Sequence, residues 1–293
     1  MNHTAVPNKR QMAAGFDAAA ADYDRLAVLQ QTVEAGLLER LQMMRIAPRR
    51  ILDLGAGTGS AARALARRYR GSRVIQADIA PNMLRQSRRR ARRWLSQQQY
   101  VCADAESLPF ESGSVDLVFS SLMLQWCPDQ ARTFAEIRRI MRPGSLFLFS
   151  SLGPDTLTEL RESWEEAGDA DVVHVNGFYD MHDVGDALLR AGFADPIMEV
   201  DTLILTYDRV WDLMRELKWL GARNVTAGRR RSLTGRRRME QVVAAYEKRR
   251  ARGRLPATYE VVYGHAWVPD APPQQRAADG SVSIPVSSVR RRG

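Results

Sequence analysis

The chain has 293 residues, 45% of them hydrophobic, with a formal net charge of +9 and a pI near 10.0. Such a length supports one large domain or a domain with a subdomain, and such a composition supports a full core. There is no apolar run near the roughly 20 residues of a membrane helix, no apolar stretch of a signal peptide in MNHTAVPNKRQMAAGF, and no disulfide framework in Cys102 and Cys127. A cytoplasmic setting is expected. The basic balance invites a nucleic-acid partner, but lysine occurs only at Lys9, Lys218 and Lys248. An arginine bias of this kind also arises from a GC-rich genome. A solvated surface is the first expectation and an acidic protein partner the second. Nucleic acid is not expected, because no pattern interleaves aromatic and basic residues for base stacking.

Residues 8–45 read as helical, with Phe16, Ala20, Tyr23 and Ala27 spaced by three and four. The segment from Phe16 to Asp24 precedes the first strand, a place from which it can cap a pocket. Next comes RILDLGAGTGS, residues 50–60, the stretch around which the rest is organised. It reads as a strand containing Asp53, a turn with Gly55, Gly57 and Gly59, and then a helix. Glycines turn the chain tightly and let backbone N–H groups approach a ligand. The spacing D-x-G-x-G-x-G is neither the G-x-G-x-x-G fingerprint nor a P-loop. A second strand, 73–77, ends in Asp78, about 20 residues on, where an acid accepts from ribose hydroxyls. A third, 100–103, ends in Asp104-Ala105, where a carboxylate accepts from an adenine amino group. These features in this order resemble the class I S-adenosylmethionine-dependent methyltransferases.

Pro81 suits the first turn of a following helix, which carries an arginine cluster from Arg85 to Arg93. The apolar run from Val115 is expected to be a buried parallel strand continuing through Trp126, with Gln125 and Trp126 lining the site at its carboxyl end. A helix over 129–141, a turn at Arg142-Pro143-Gly144 and a strand over 145–150 follow. Strand and helix alternate to this point, predicting a doubly wound, mostly parallel α/β sheet. Beyond it the expectation is helices and an irregular stretch over 151–193, a strand over 195–207, a helical insertion over 209–254 and a closing strand over 258–267. Two more strands, reversed, make seven. The domains expected are an N-terminal helical lid (1–45), a cofactor-binding core (46–150), acceptor-side helical insertions with the closing strands (151–268) and a disordered tail (269–293).

Outside the glycine motif, several segments carry a narrower resemblance. They include Leu124-Gln125-Trp126, Ser151-Leu152-Gly153-Pro154-Asp155-Thr156-Leu157, Phe178-Tyr179-Asp180-Met181-His182-Asp183, Ala191-Gly192-Phe193, Gly221-Ala222-Arg223-Asn224 and Tyr259-Glu260-Val261-Val262-Tyr263-Gly264-His265-Ala266-Trp267. With these, residues 9–268 resemble the malonyl-acyl-carrier-protein O-methyltransferases of biotin synthesis.

The resemblance implies transfer of the methyl of S-adenosyl-L-methionine to the free carboxylate of a malonyl group on acyl carrier protein. The ester hides a charge that apolar elongation channels exclude. Asp53, Gly55, Gly57, Gly59, Asp78, Asp104 and Ala105 are then expected at the cofactor, and Tyr23 and His182 at the reaction centre. Gln125, Trp126, Phe178, Tyr179 and Arg161 are expected at the acceptor, with no metal. Arg229 to Arg231 and Arg236 to Arg238 are candidates to dock an acidic carrier. Three points stay open here: coenzyme A in place of the carrier, another acceptor (a small carboxylic acid, a quinone-type ring or RNA), and an accessory protein that binds the cofactor without methyl transfer.

Overall fold

A computed structural model describes residues 8–91, 98–168, 178–219 and 235–270. The expectations for Arg92, Arg93, Leu220 to Asn224, Arg229 to Arg231 and the tail beyond Asp270 fall outside those residues. The chain opens with α1 (Lys9–Ala19), the one-turn α2 (Tyr23–Leu26) and α3 (Val28–Gln42). There follow β1 (Arg50–Leu54), α4 (Ser60–Arg68), β2 (Arg73–Asp78), α5 (Pro81–Arg90), β3 (Gln98–Cys102), β4 (Val115–Ser120), α6 (Gln130–Ile140) and β5 (Met141–Leu152). The remainder is α7 (Thr158–Glu166), α8 (Met181–Arg190), β6 (Ala194–Tyr207), α9 (Val210–Trp219), α10 (Arg236–Glu247) and β7 (Leu255–Trp267).

The strands form a seven-stranded sheet in the order β3-β2-β1-β4-β5-β7-β6. The first five are parallel, and β7 runs antiparallel between β5 and β6. This is the doubly wound, mostly parallel sheet that the sequence predicts, but of the two closing strands only β7 is reversed, and β6, antiparallel to β7, runs in the direction of the first five.

Period-2 alternation builds two cores from one sheet. Ile51, Leu117, Phe119, Leu146 and Leu148 face one side, packed with Leu37 of α3, Leu65 of α4, Leu160 of α7 and Tyr246 of α10. Leu52, Leu54, Val118, Phe147 and Phe149 face the other, packed with Phe134 and Ile137 of α6 and Leu188 of α8. Residues between these pairs leave no polar face on β1, β4 or β5, as expected of central parallel strands. In α3, Leu29, Val33, Leu37 and Leu41 recur every four residues and all are buried. This helix is therefore part of the layer covering the sheet.

Three elements differ from expectation. The helical run over 8–45 is broken at Ala20–Asp22 and at Ala27. The first break lets Ala20, Phe16 and Tyr23 pack on Ala80 and Met83 while α3 turns along the sheet. β4 stops at Ser120 instead of running to Trp126. Leu122 adopts a left-handed conformation (φ 49°), its N–H donates to the Ser150 carbonyl at 3.1 Å, and Leu124–Trp126 form a short 3-10 helix. β5 begins at Met141, through the predicted turn, because Gly144 (φ 72°) donates to the Val268 carbonyl and joins the ladder.

Gly264 of β7 lies in register with Phe149 of β5, and a Cβ there would fall 2.3 Å from the Phe149 ring. Gly264→Ala is expected to cost about 1–3 kcal/mol by overpacking. Denaturant unfolding should show a lower midpoint with an unchanged slope.

Candidate functional site

β1 and β4 are neighbours, yet the chain leaves them toward opposite edges of the sheet. Their carboxyl ends therefore diverge, which is where open α/β sheets bind ligands. A cavity of about 180 Å³ lies there. Gly55 and Gly57 line it, with Asp78 at the end of β2 and Ile79 after it, Asp104 and Ala105 after β3, and Ser121, Leu122 and Met123 after β4. Gly57 (φ 52°) donates its N–H to Asp78 Oδ2 at 2.8 Å. A Cβ on Gly57 would meet no atom within 4 Å, so its face stays open to the cavity.

A smaller recess of about 90 Å³ shares Tyr23, Gln30, Gly55, Gly57 and Ser121 with the cavity. Asp24, Glu34 and Asp53 line it. Asp53 is 2% exposed, and its Oδ2 has no hydrogen-bond partner. Gln30 Oε1 is also buried and unpartnered. Burial, then the Glu34 charge, pushes the Asp53 carboxyl well above its usual range. Burial likewise raises Glu34 and Asp78, partly offset by donors: Ser60 and Ala61 for Glu34, Ala80 and Gly57 for Asp78. Two acceptors in the recess, Asp53 Oδ2 and Gln30 Oε1, lack a donor among the described residues, so it suits a cationic group.

The N-terminal helices close one side. Lys9 of α1 donates to Asp104 Oδ2 at 2.7 Å and sits 2.6 Å from Glu106 Oε2. Burial opposes the Lys9 charge, but its hydrogen bonds to Asp104 and Glu106 leave the pKa raised. Asp17 of α1 accepts from the Asn82 N–H at 2.7 Å, and Asp24 of α2 accepts from Thr58 and Arg90. The Phe16 and Trp126 rings meet edge to face at 5.3 Å, both lining the cavity. Tyr23 lines it too. Burial, then the charges of Asp78, Asp24 and Glu34, hold its phenol protonated.

Beyond Tyr23 the cavity becomes apolar. Leu152, Leu157, Leu160, Phe178 and Leu217 line this lobe, with Thr156, Glu216 and Tyr259 as its polar groups. Gln125 also faces the cavity; its Nε2 donates to the Leu122 carbonyl at 2.7 Å and its Oε1 is unpartnered.

Four sequence-predicted residues are not brought to the cavity. Gly59 (φ 77°) precedes α4, and a Cβ there would strike Ser87 Oγ at 1.9 Å, so it serves close packing of α4. Arg161 donates from Nη2 to the Pro154 and Thr156 carbonyls at 2.9 and 3.0 Å, holding the loop that carries Leu157. Tyr179 donates to the Pro128 carbonyl at 3.3 Å. His182 is 80% exposed and hydrogen-bonded to Asp180, the residue capping α8. Conversely, Lys9, Gln30, Glu34 and Glu216 were not legible as site residues. Gln30 carried a signal in the Leu29-Gln30 pair of the family resemblance, and Lys9 as one of three lysines.

Residues 52–149 match the family model described as "Methyltransferase domain". A crystal structure of a putative methyltransferase from Bacillus halodurans superposes with a TM-score of 0.56 at 19% identity, covering 80% of this chain and 99% of that one. The fold and the matched domain define a class I S-adenosyl-L-methionine-dependent methyltransferase. Two relatives named malonyl-[acyl-carrier protein] O-methyltransferase are far nearer in sequence. That of Laribacter hongkongensis is 50% identical over 96% of each chain, and that of Halorhodospira halophila 48% identical over 97% of this chain and 96% of its own. The chain belongs to the malonyl-[acyl-carrier protein] O-methyltransferase family.

The residues present fit the cofactor. The open face of Gly57, the orphaned Asp53 and Gln30 oxygens and the Asp78 carboxylate match an amino acid joined to a ribose. Among the described residues no cluster of His, Cys, Asp and Glu is arranged to hold a metal, and no helix is long and apolar enough to cross a membrane.

A carboxyl whose folded pKa is raised keeps a proton that the unfolded chain has released. Its contribution to stability therefore falls as pH rises from the unfolded value, about 4, toward the folded one. Asp53→Asn is expected to raise the Tm of the ligand-free protein at pH 7, and the gap over the parent should narrow toward pH 4. Thermal unfolding across that range checks it.

Proposed function

We propose that the protein transfers the methyl of S-adenosyl-L-methionine to the free carboxylate of a malonyl group on acyl carrier protein, giving the methyl ester used in biotin precursor synthesis. The observation that carries this reading is the two-part cavity. A carboxylate-rich end at the glycine turn opens into an apolar lobe whose polar groups can hold a short acyl chain.

In this reading Asp78 binds the ribose hydroxyls, Gly55 and Gly57 let the backbone approach, and Asp53 with Gln30 accepts from the ammonium. Asp104 and Ala105 lie at the adenine end. When bound, the cofactor supplies an electrophilic methyl on a sulfonium. The substrate carboxylate is ionised near neutral pH, so no base has to remove a proton. The protein's work is to align and to exclude water. Phe16 and Trp126 close the cavity side, and Tyr23, held as a phenol, donates a hydrogen bond where cofactor and acceptor meet. Phe178 and Leu217 wall the acyl chain. The helices α1 and α2 act as the lid, tied down by Lys9, Asp17 and Asp24. An acidic carrier docks on the arginines at the head of α10, where Arg236 and Arg237 are exposed, and the setting is the cytoplasm.

Mass spectrometry of malonyl-carrier protein incubated with enzyme and cofactor should show one added methyl, absent with acetyl-carrier protein. Cofactor binding without any methyl gain would refute the assignment. Asp78→Ala should weaken S-adenosylhomocysteine about 10-fold or more, the value of hydrogen bonds to a charged group, as read by calorimetry.

A further inference from the structure

The acceptor lobe presents a charge problem. Its ligand is an anion, yet among the described residues lining the cavity the only lysine or arginine is Lys9. Lys9 lies at the far end, held between Asp104 and Glu106. The ionisable groups facing the acceptor lobe are instead Glu216 and Tyr259. Glu216 comes from α9, half-buried, one residue before the cavity-lining Leu217. Its Oε1 accepts from the Tyr207 hydroxyl at 3.1 Å. Tyr207, on β6, neighbours Tyr259 on β7, the strand paired with it. α9 and β6 thus hold one carboxyl at the lobe wall beside Tyr259, with Oε2 making no hydrogen bond to any described residue.

Resting on the proposed acceptor, we propose that Glu216 is the group that binds the malonyl carboxylate, donating a hydrogen bond from its acid form to the carboxylate oxygen that is not methylated. Two carboxyl groups side by side in an apolar site share a single proton, because both cannot ionise there. The surroundings favour the acid on Glu216. Burial raises its pKa, and among the described residues no cation is paired with it. The neighbouring Tyr207 and Tyr259 are phenols kept protonated chiefly by burial. On its own helix, Asp212 pairs with Arg209 and Arg215. From α2, which packs on α9, Tyr23 is a phenol and Asp24 is paired with Arg90. Methyl transfer needs nothing further: one oxygen is held, the other attacks, and the proton stays on Glu216 when the ester forms. The ester keeps an acceptor for that proton but no charge, which weakens its hold on the site.

The test compares Glu216→Gln and Glu216→Leu in the full-length enzyme with malonyl-carrier protein. The amide keeps a neutral donor, so Glu216→Gln should hold KM within about threefold of the parent, whereas Glu216→Leu should raise it about 10-fold or more. Because the contact exists before and during transfer, kcat should move less than KM. The parent KM should rise with pH as Glu216 ionises, and the Glu216→Gln profile should be flat. Calorimetry with S-adenosylhomocysteine should give the parent affinity for both variants, establishing that each is folded. An unchanged KM in Glu216→Leu, or a Glu216→Gln as impaired as Glu216→Leu, overturns the assignment while the function stands. A parent enzyme that fails to methylate malonyl-carrier protein at all removes the function, and the inference with it.

Discussion

The divergence of β1 and β4 is the constraint on which the rest depends. Two parallel neighbours whose chains depart in opposite directions leave a gap at their carboxyl ends. Here the gap is locked by the Ser120 hydroxyl, which donates to the Leu54 carbonyl at 2.9 Å. Every ligand-facing group is placed relative to that lock. Gly55 follows Leu54 directly, Asp78 ends the strand paired with β1 on its other side, and Ser121 starts the turn that swings Gln125 and Trp126 into the cavity. A carboxylate there is costly without a partner, and the buried Asp53 with the half-buried Glu34 and Asp78 beside one glycine turn suits a cationic and hydroxyl-rich ligand.

That arrangement sets stability against binding. Asp53, Glu34 and Asp78 all have carboxyls raised by burial. The ligand-free protein keeps them by taking up protons or by paying in stability. A bound ammonium reverses the sign of the local field, so the same groups that weaken the empty fold strengthen the complex. The acceptor lobe follows a different logic. Among the described residues it presents no cation to attract an anion, but a ring of leucines with Glu216, Thr156 and Tyr259 set into it. Recognition of a carboxylate by a carboxylic acid suits a site in which the cofactor already carries the positive charge.

The N-terminal helices divide by role. Leu37 and Leu41 of α3 are fully buried, so this helix belongs to the folded body. The preceding α1 and α2 are fastened mainly by polar contacts, from Lys9, Asp17 and Asp24, and by the small cluster of Phe16, Ala20 and Tyr23 on Met83. Ion pairs at partly exposed positions contribute little each. A segment held in this way opens at less cost than the sheet, which is the property a cavity needs to admit a cofactor.

Much of this was determined by sequence alone, because local patterns carry it. Alternating and continuous apolar runs define the strands, the D-x-G-x-G-x-G turn defines the cofactor end, and acids at the ends of β2 and β3 follow from their distance along the chain. The segments after residue 150 specified the family. What the tertiary structure decided is which side chains converge. His182 stands in a family-like segment, but the Asp180 cap turns it to solvent, and Arg161 ties two carbonyls of its own loop through one nitrogen. Trp126 lies at the cavity because Leu122 bends the chain out of β4, which an apolar run cannot announce. Glu34 and Glu216 reach the site from helices far apart in sequence, and nothing local distinguishes them from surface glutamates. Their role depends on burial and on partners such as Asp53 and Tyr207, and those are long-range properties that exist only once the sheet has closed.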